Sequence, residues 1–170
     1  WSPLLGRAIA GAARGQTLER LPHALVSWGR WVEQHPDTVL LARDDQARKR
    51  HKRDPYGSYS GSDILRFPVE PRPDPASGRL KQRVTVLSHG GERVVVRHGE
   101  LAARERACLD LGAGHFVLRY ERASDSVAIV GLQPDWSAQA FWFAWYATHP
   151  EDRLAQSAEL SCDDDHPRNP

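Results

Sequence analysis

Methionine is absent from all 170 residues, and lysine occurs three times against twenty arginines. The lack of methionine extends to position 1, which leads to the expectation that the chain is part of something longer, with any signal segment upstream. The arginine excess fits codon usage in a GC-rich genome and carries no functional message. Charge of one sign is also missing: 23 Lys and Arg balance 22 Asp and Glu, for a net charge of +1. No global field therefore directs the chain to nucleic acid or to an anionic membrane. No run approaches the ~18 apolar residues of a bilayer-spanning helix. The two cysteines, Cys108 and Cys162, form no C-x-x-C pair and no zinc spacing. A disulfide between them is open but not implied, so the compartment is left undetermined. Nucleotide-binding glycine motifs, H-E-x-x-H and G-x-S-x-G are all lacking, and none of the eight histidines stands four residues from another. These absences remove the common routes to a sequence-level catalytic assignment.

What is present is a repeated pattern. Trp28, Trp31, His35 and Pro36 are spaced like Trp142, Trp145, His149 and Pro150. Each W-x-x-W-x-x-x-H-P segment is followed by an acid, Asp37 or Glu151. On a helix, positions i, i+3 and i+7 share one face. The residue before a proline disfavours the helical conformation, so each helix is expected to stop at its histidine. There the ring sits at the negative end of the helix dipole. For the second segment a strand competes, because FWFAWYA is a continuous aromatic run. Such Trp/His faces can line a pocket or offer metal ligands. Packing tryptophans and capping histidines are the plainer reading, and the sequence favours it.

Residues 1–24 hold short apolar pieces punctuated by glycines. They read as two or three short strands, with a helix through Arg7 to Arg14 as the alternative. TVLLA, Thr38 to Ala42, reads as a short buried strand. Residues 43–62 are polar, with a basic run from Arg48 to Arg53. That run suggests an anion contact, but no aromatic interleaves it, so a solvated loop is preferred over nucleic acid. In DPYGSY, Asp54, Tyr56 and Tyr59 suit either ligand binding or anchoring of the loop. ILRFPV is expected to be extended or an edge strand. EPRPDPASG, residues 70–78, is the best internal boundary.

From Leu80 the pattern is β. Val84 to Ser88 and Arg93 to His98 flank Gly90-Gly91 and predict a hairpin, across which His89 and His98 could approach. Gly99 to Gly114 reads as a helix of about three turns, with Cys108 half-buried on its apolar face. His115 to Glu121 and Ser126 to Val130 form a second strand pair. Asp135 or Ser137 is the expected N-cap of the second Trp helix. Residues 151–170 are polar and expected to fray. Cys162, the aspartates at 163–165 and His166 make at best a loose chelating tail, and no metal site is assigned.

WSPLLGRAIAG, SWGRWVEQHPDT, DPYGSY, the LRFPV run and FWFAWYATHP together resemble the domain-of-unknown-function 3179 family, over most of residues 1–150. The resemblance is strongest at the two ends. It implies a longer, exported bacterial or archaeal protein with an upstream, cysteine-bearing half, of which this chain would be the C-terminal portion. Contact with that upstream half follows as an expectation, and the location is inferred as extracytoplasmic from the resemblance alone. The family carries no established activity, so the resemblance implies architecture and no mechanism.

The sequence therefore predicts a strand-rich α+β fold of small, mostly antiparallel sheets, each packed by a Trp-bearing helix, in the manner of an internal duplication. The expected division is a first half at 1–69, a linker at 70–79, a second half at 80–150 and a tail at 151–170. The expected function is a non-catalytic binding or interaction domain. Its candidate residues are Asp54, Tyr56, Tyr59, Trp28, Trp31, His35, Trp142, Trp145 and His149. The alternative is an accessory half of a metal- or thiol-dependent redox enzyme centred upstream. Ligand, cofactor and partner identities are not legible.

Overall fold

A computed structural model describes residues 1–21, 23, 25–41, 56 and 58–162. The fold is α+β and strand-rich, with two three-stranded antiparallel sheets among the described residues, in the orders β2-β1-β6 and β3-β4-β5. The first sheet grows from the expected hairpin. Strand β1 (Arg83–His89) pairs with β2 (Glu92–Arg97), closing at His89 opposite Glu92. The loop between them is Gly90-Gly91, with φ of 60° and 82°. A two-residue turn with both angles positive matches the right-handed twist of a hairpin, and glycine reaches it without strain.

Alternation in β1 and β2 then sorts side chains onto two buried faces. Val84, Val86 and Val95 point to one side, where they meet Ala138, Trp142 and Trp145. Leu87, Val94 and Val96 point to the other, where they meet the second sheet through Leu109, Phe116 and Leu118. The first sheet is thus a middle layer, which explains why its valine runs are nearly continuous.

After β2 the chain departs from the helix expected over 99–114. The first helix of the chain, α1 (Trp28–Gln34), lies far upstream. The next helix among the described residues, α2, covers only His98–Arg104, and residues 106–111 are a strand, β3 (Arg106–Leu111). The three-turn helix expected over 99–114 does not form. Glu105 adopts φ 62° and ends α2, and Ala107, Leu109 and Leu111 alternate into the core. Cys108 therefore lies on the outer side of β3, where it is disulfide-bonded to Cys162. Strands β4 (Gly114–Glu121) and β5 (Ser126–Val130) form as expected, and β6 (Trp136–Phe141) returns to pair with β1.

The aromatic run at 141–147 is helical over Trp142–Tyr146, as the favoured reading expected, with only Phe141 in a strand. Phe141 ends β6, and α3 (Trp142–Tyr146) follows at once with Phe141 as its N-cap, in place of Asp135 or Ser137. Trp142, Phe143 and Trp145 are buried.

Residues 151–162 do not fray. Ala155 N–H donates to Val95 O at 2.8 Å, and Val95 N–H donates to Arg153 O at 3.0 Å, so the segment covers the outer edge of β2. A 3-10 turn, Ser157–Leu160, then inserts Leu160 into the core. The polar composition concealed this because three scattered apolar residues, Leu154, Ala155 and Leu160, and main-chain hydrogen bonds carry the docking.

Upstream, residues 1–21 form turns with single bridges, Ser2 to Arg7 and Arg7 to Thr17, and no helix forms over 7–14. Residues 38–41 are not a buried strand: Val39 and Leu41 are 91% and 98% exposed. None of the α1 residues is buried. Residues 64–69 are irregular, and a 3-10 turn at Pro75–Ser77 follows. That turn is held to the second part of the chain, since Ser77 Oγ accepts from the Trp142 indole N–H at 2.9 Å. Among the described residues no helix is long and apolar enough to cross a membrane.

Candidate functional site

The two W-x-x-W-x-x-x-H-P segments share local geometry. In the first, the Trp31 and His35 rings lie 4.0 Å apart and the Trp31 indole donates to Thr38 Oγ1 at 2.9 Å. In the second, Trp145 and His149 lie 4.1 Å apart and the Trp145 indole donates to Asp152 Oδ2 at 2.9 Å. The cause is the same in each case. The i, i+4 spacing brings the two rings together, tilted by 34° in the first segment and stacked at 10° in the second. The chain turns at the proline, and the residue seven beyond the tryptophan accepts the indole bond. His35 also serves as the C-cap of α1, its N–H donating to Trp31 O.

Their surroundings differ. Trp145 is fully buried under Val84, Val86, Val95 and Ala138, and Trp136 lies 6.2 Å away. Arg20 stacks over Trp136 with Cζ 4.5 Å from the ring centroid. Asp152 is held by Arg93, which also binds Glu151 at 2.8 Å. Burial holds the His149 imidazole below its usual pKa, against the pull of Asp152. By contrast Trp28 and Trp31 are 51% and 40% exposed, and Asp37 pairs with no cation among the described residues.

The DPYGSY residues separate. Asp54 lies outside the described residues, as does the basic run 48–53. Tyr56 is exposed. Tyr59 anchors its loop: the Lys81 ammonium sits 3.5 Å over its ring and donates to Tyr59 O and Ile64 O at 2.9 and 2.7 Å. The Asp63 carboxylate completes the attachment by accepting from the Leu80 and Lys81 N–H groups. The structure brings Tyr59 close to Phe141, with ring centroids 6.2 Å apart.

A polar cluster that the sequence reading missed joins the two sheets. His98, at the start of α2, is buried, and its Nδ1 lies 3.0 Å from Asp125 Oδ1. Its Nε2 lies 2.9 Å from Thr85 Oγ1 on β1. Tyr120 OH, from β4, donates to the same Asp125 oxygen at 2.8 Å. Burial lowers the His98 pKa even though Asp125 raises it, and burial with the Asp125 bond raises that of Tyr120. Thr85, His98 and Asp125 have the order of a hydroxyl, base and orienting acid. Thr85 is only 1% exposed in the middle of β1, so its hydroxyl faces no substrate, and the set braces the sheets.

Beside this brace lies a cleft of about 480 Å³, bordered by Arg79, Lys81, Arg83, His98, Tyr120 and Phe141. Only a polar residue at an inward position, Thr85 within VTVLS, hinted at it in the sequence. His89 and His98 do not meet across the hairpin: His89 is at the turn, 3.2 Å from Asp135, while His98 follows the far end of β2. Among the described residues no group of three His, Cys, Asp or Glu side chains is placed to hold a metal ion.

A family model described as "Protein of unknown function (DUF3179)" matches residues 1–135. The match begins at the first residue and stops short of the second Trp segment, so the part of the resemblance drawn from FWFAWYATHP, and the view of the chain as a C-terminal portion, do not find support in it. No curated protein and no solved structure matches the chain.

Proposed function

The chain belongs to the DUF3179 family, proteins of unknown function, and from that premise we propose that it is a non-catalytic interaction domain docking through the exposed side of residues 25–41. One observation carries this. Two segments with a Trp/His ring pair at the same close distance and the same kind of indole bond differ in that one is roofed by a sheet and the other is bare. The reading takes the roofed segment as a template for what the bare one receives. The template is a valine-rich sheet face with an arginine at its rim, as Arg93 stands to Glu151. The expected partner therefore offers an aliphatic β-sheet surface and a cation for Asp37. Leu25, Trp28, Trp31 and Val32, with Val39 to Leu41 beyond, supply the apolar contact.

The same reading treats the two segments as copies of one device and the chain as part of a longer, exported protein. The Cys108–Cys162 disulfide supports an oxidising compartment. A photo-reactive residue placed at Val32 and, as a control, at Val130 tests the surface in cells. The expected outcome is one polypeptide crosslinked from position 32 alone, lost when Asp37 is replaced by arginine. Identical crosslinks from both positions, or a crosslink indifferent to Asp37→Arg and Trp31→Ala, would remove the proposal.

A further inference from the structure

The cleft beside the His98 brace is independent of the docking surface, and its chemistry is specific. Arg83 opens β1, and by strand alternation it faces the same side as Thr85 and Leu87, toward the second sheet. Its Nε is buried and has no hydrogen-bond partner. Buried guanidinium donors without partners are rare, because each left unpaired costs the free energy of its lost hydration. The neighbouring charged groups are already committed. Lys81 is bound to two carbonyls, and Arg79 lies 3.6 Å from Asp63. Asp125 Oδ1 already takes both Tyr120 and His98, and no ion pair joins Asp125 to Arg83 among the described residues. The lining thus holds three cations against one carboxylate, with an aromatic wall at Phe141, where Arg83 Cζ lies 5.8 Å from the ring centroid.

We propose that this cleft is a binding site for a small ligand bearing an oxyanion, a carboxylate or a phosphate, gripped by the free edge of Arg83. The side of a guanidinium that carries Nε presents two parallel N–H groups, which match two oxygens of either anion. Phe141 offers a flat apolar surface to whatever the anionic group is attached to. Arg79 at the mouth attracts the anion, while the His98–Asp125–Tyr120 brace, built on the buried His98, keeps the floor fixed. A polar grip in an otherwise part-apolar concavity is the usual form of a small-molecule site. Because Arg83 Nε is closed to water in the free chain, the anion is reached by a small turn of the Arg83 side chain toward the cleft.

The test is a titration of the full chain, at constant ionic strength, with inorganic phosphate and separately with benzoate. The Arg83 Nε–H and Tyr120 ring resonances are followed by NMR. Saturable shifts centred on Arg83 are expected with at least one probe. Arg83→Gln should weaken binding about tenfold or more, the size of one charge-assisted pair. Arg119→Gln, on the exposed outer side of β4, should leave it unchanged. Benzoate saturating and phosphate not, or the reverse, identifies which anion the site takes. The proposal fails if neither probe saturates, if Arg83→Gln binds like the parent, or if Arg119→Gln weakens binding equally. Should Arg83→Gln not fold, Arg83→Lys keeps the charge and removes the paired donors. Undiminished binding by that variant would also overturn the proposal.

Discussion

Replacing the second tryptophan of each segment by alanine should separate the two segments by several kcal/mol. Trp145 is 0% exposed. A side chain of this kind buries up to roughly 250 Å², and at about 25 cal/mol per Å² its removal from water corresponds to roughly 6 kcal/mol as an upper figure. Measured Trp→Ala costs in cores run at about 3–5 kcal/mol, because the site collapses in part. Trp145→Ala also takes the indole donor from Asp152 Oδ2, although Arg93 still holds the other oxygen. An expected loss of about 4 kcal/mol is a large share of a typical domain's stability.

Trp31 makes the same two local contacts but is 40% exposed on a helix with no buried residue. Trp31→Ala should cost about 1 kcal/mol or less. The assay is urea unfolding followed by far-ultraviolet circular dichroism, which does not depend on tryptophan emission. Comparable m-values in the two variants would show that both report stability. Equal losses, or a larger one at Trp31, would mean that α1 is roofed within the chain itself and would undo the docking argument.

Two further outcomes follow from the same contacts. Cys108 and Cys162 are 54 residues apart, and closing a loop of that size lowers the entropy of the unfolded chain by an amount equivalent to about 4 kcal/mol. Reducing agent, or joint replacement by serine, should therefore lower the urea midpoint strongly, and an unmoved midpoint would contradict the pairing. Burial holds His98 and His149 below their usual pKa of 6.5. The unfolded chain then binds more protons than the folded one in the window just below that value. Stability should be fully present above about pH 7 and fall as the solution is acidified toward the folded-state values. His98→Gln should flatten part of that slope, and a stability independent of pH between 5 and 7 would refute the neutral, buried assignment.

The elements that sequence made legible are those fixed by local chemistry. Gly90-Gly91 between alternating runs specified the hairpin, and His35 before Pro36 marked the end of α1. The helix expected over 99–114 failed for a subtler reason. Leu101, Cys108 and Leu111 fall at helical spacings, but Ala107, Leu109 and Leu111 also alternate, and the break at Glu105 uses a residue that gives no glycine signal. Burial of 38–41 was misjudged because apolar side chains are buried only where another surface meets them. The polar cluster was out of reach for a similar reason. Thr85, His98, Tyr120 and Asp125 come from four separate elements, and only the packing of the two sheets brings them together.

The disulfide also decides how the molecule would carry a load. A pull on the two ends runs from residue 1 to Cys108, crosses the sulfur–sulfur bond, and leaves through Cys162. The 53 residues between the two cysteines, which stand 54 positions apart, lie off that path, and they include β4, β5, β6 and α3. Tension would unzip the β1–β2 hairpin and strip α2 while the intervening segment stayed covalently closed, hiding roughly 180 Å of contour length. Reduction would release that length. The molecule is in this sense a short tether when oxidised and a long one when reduced.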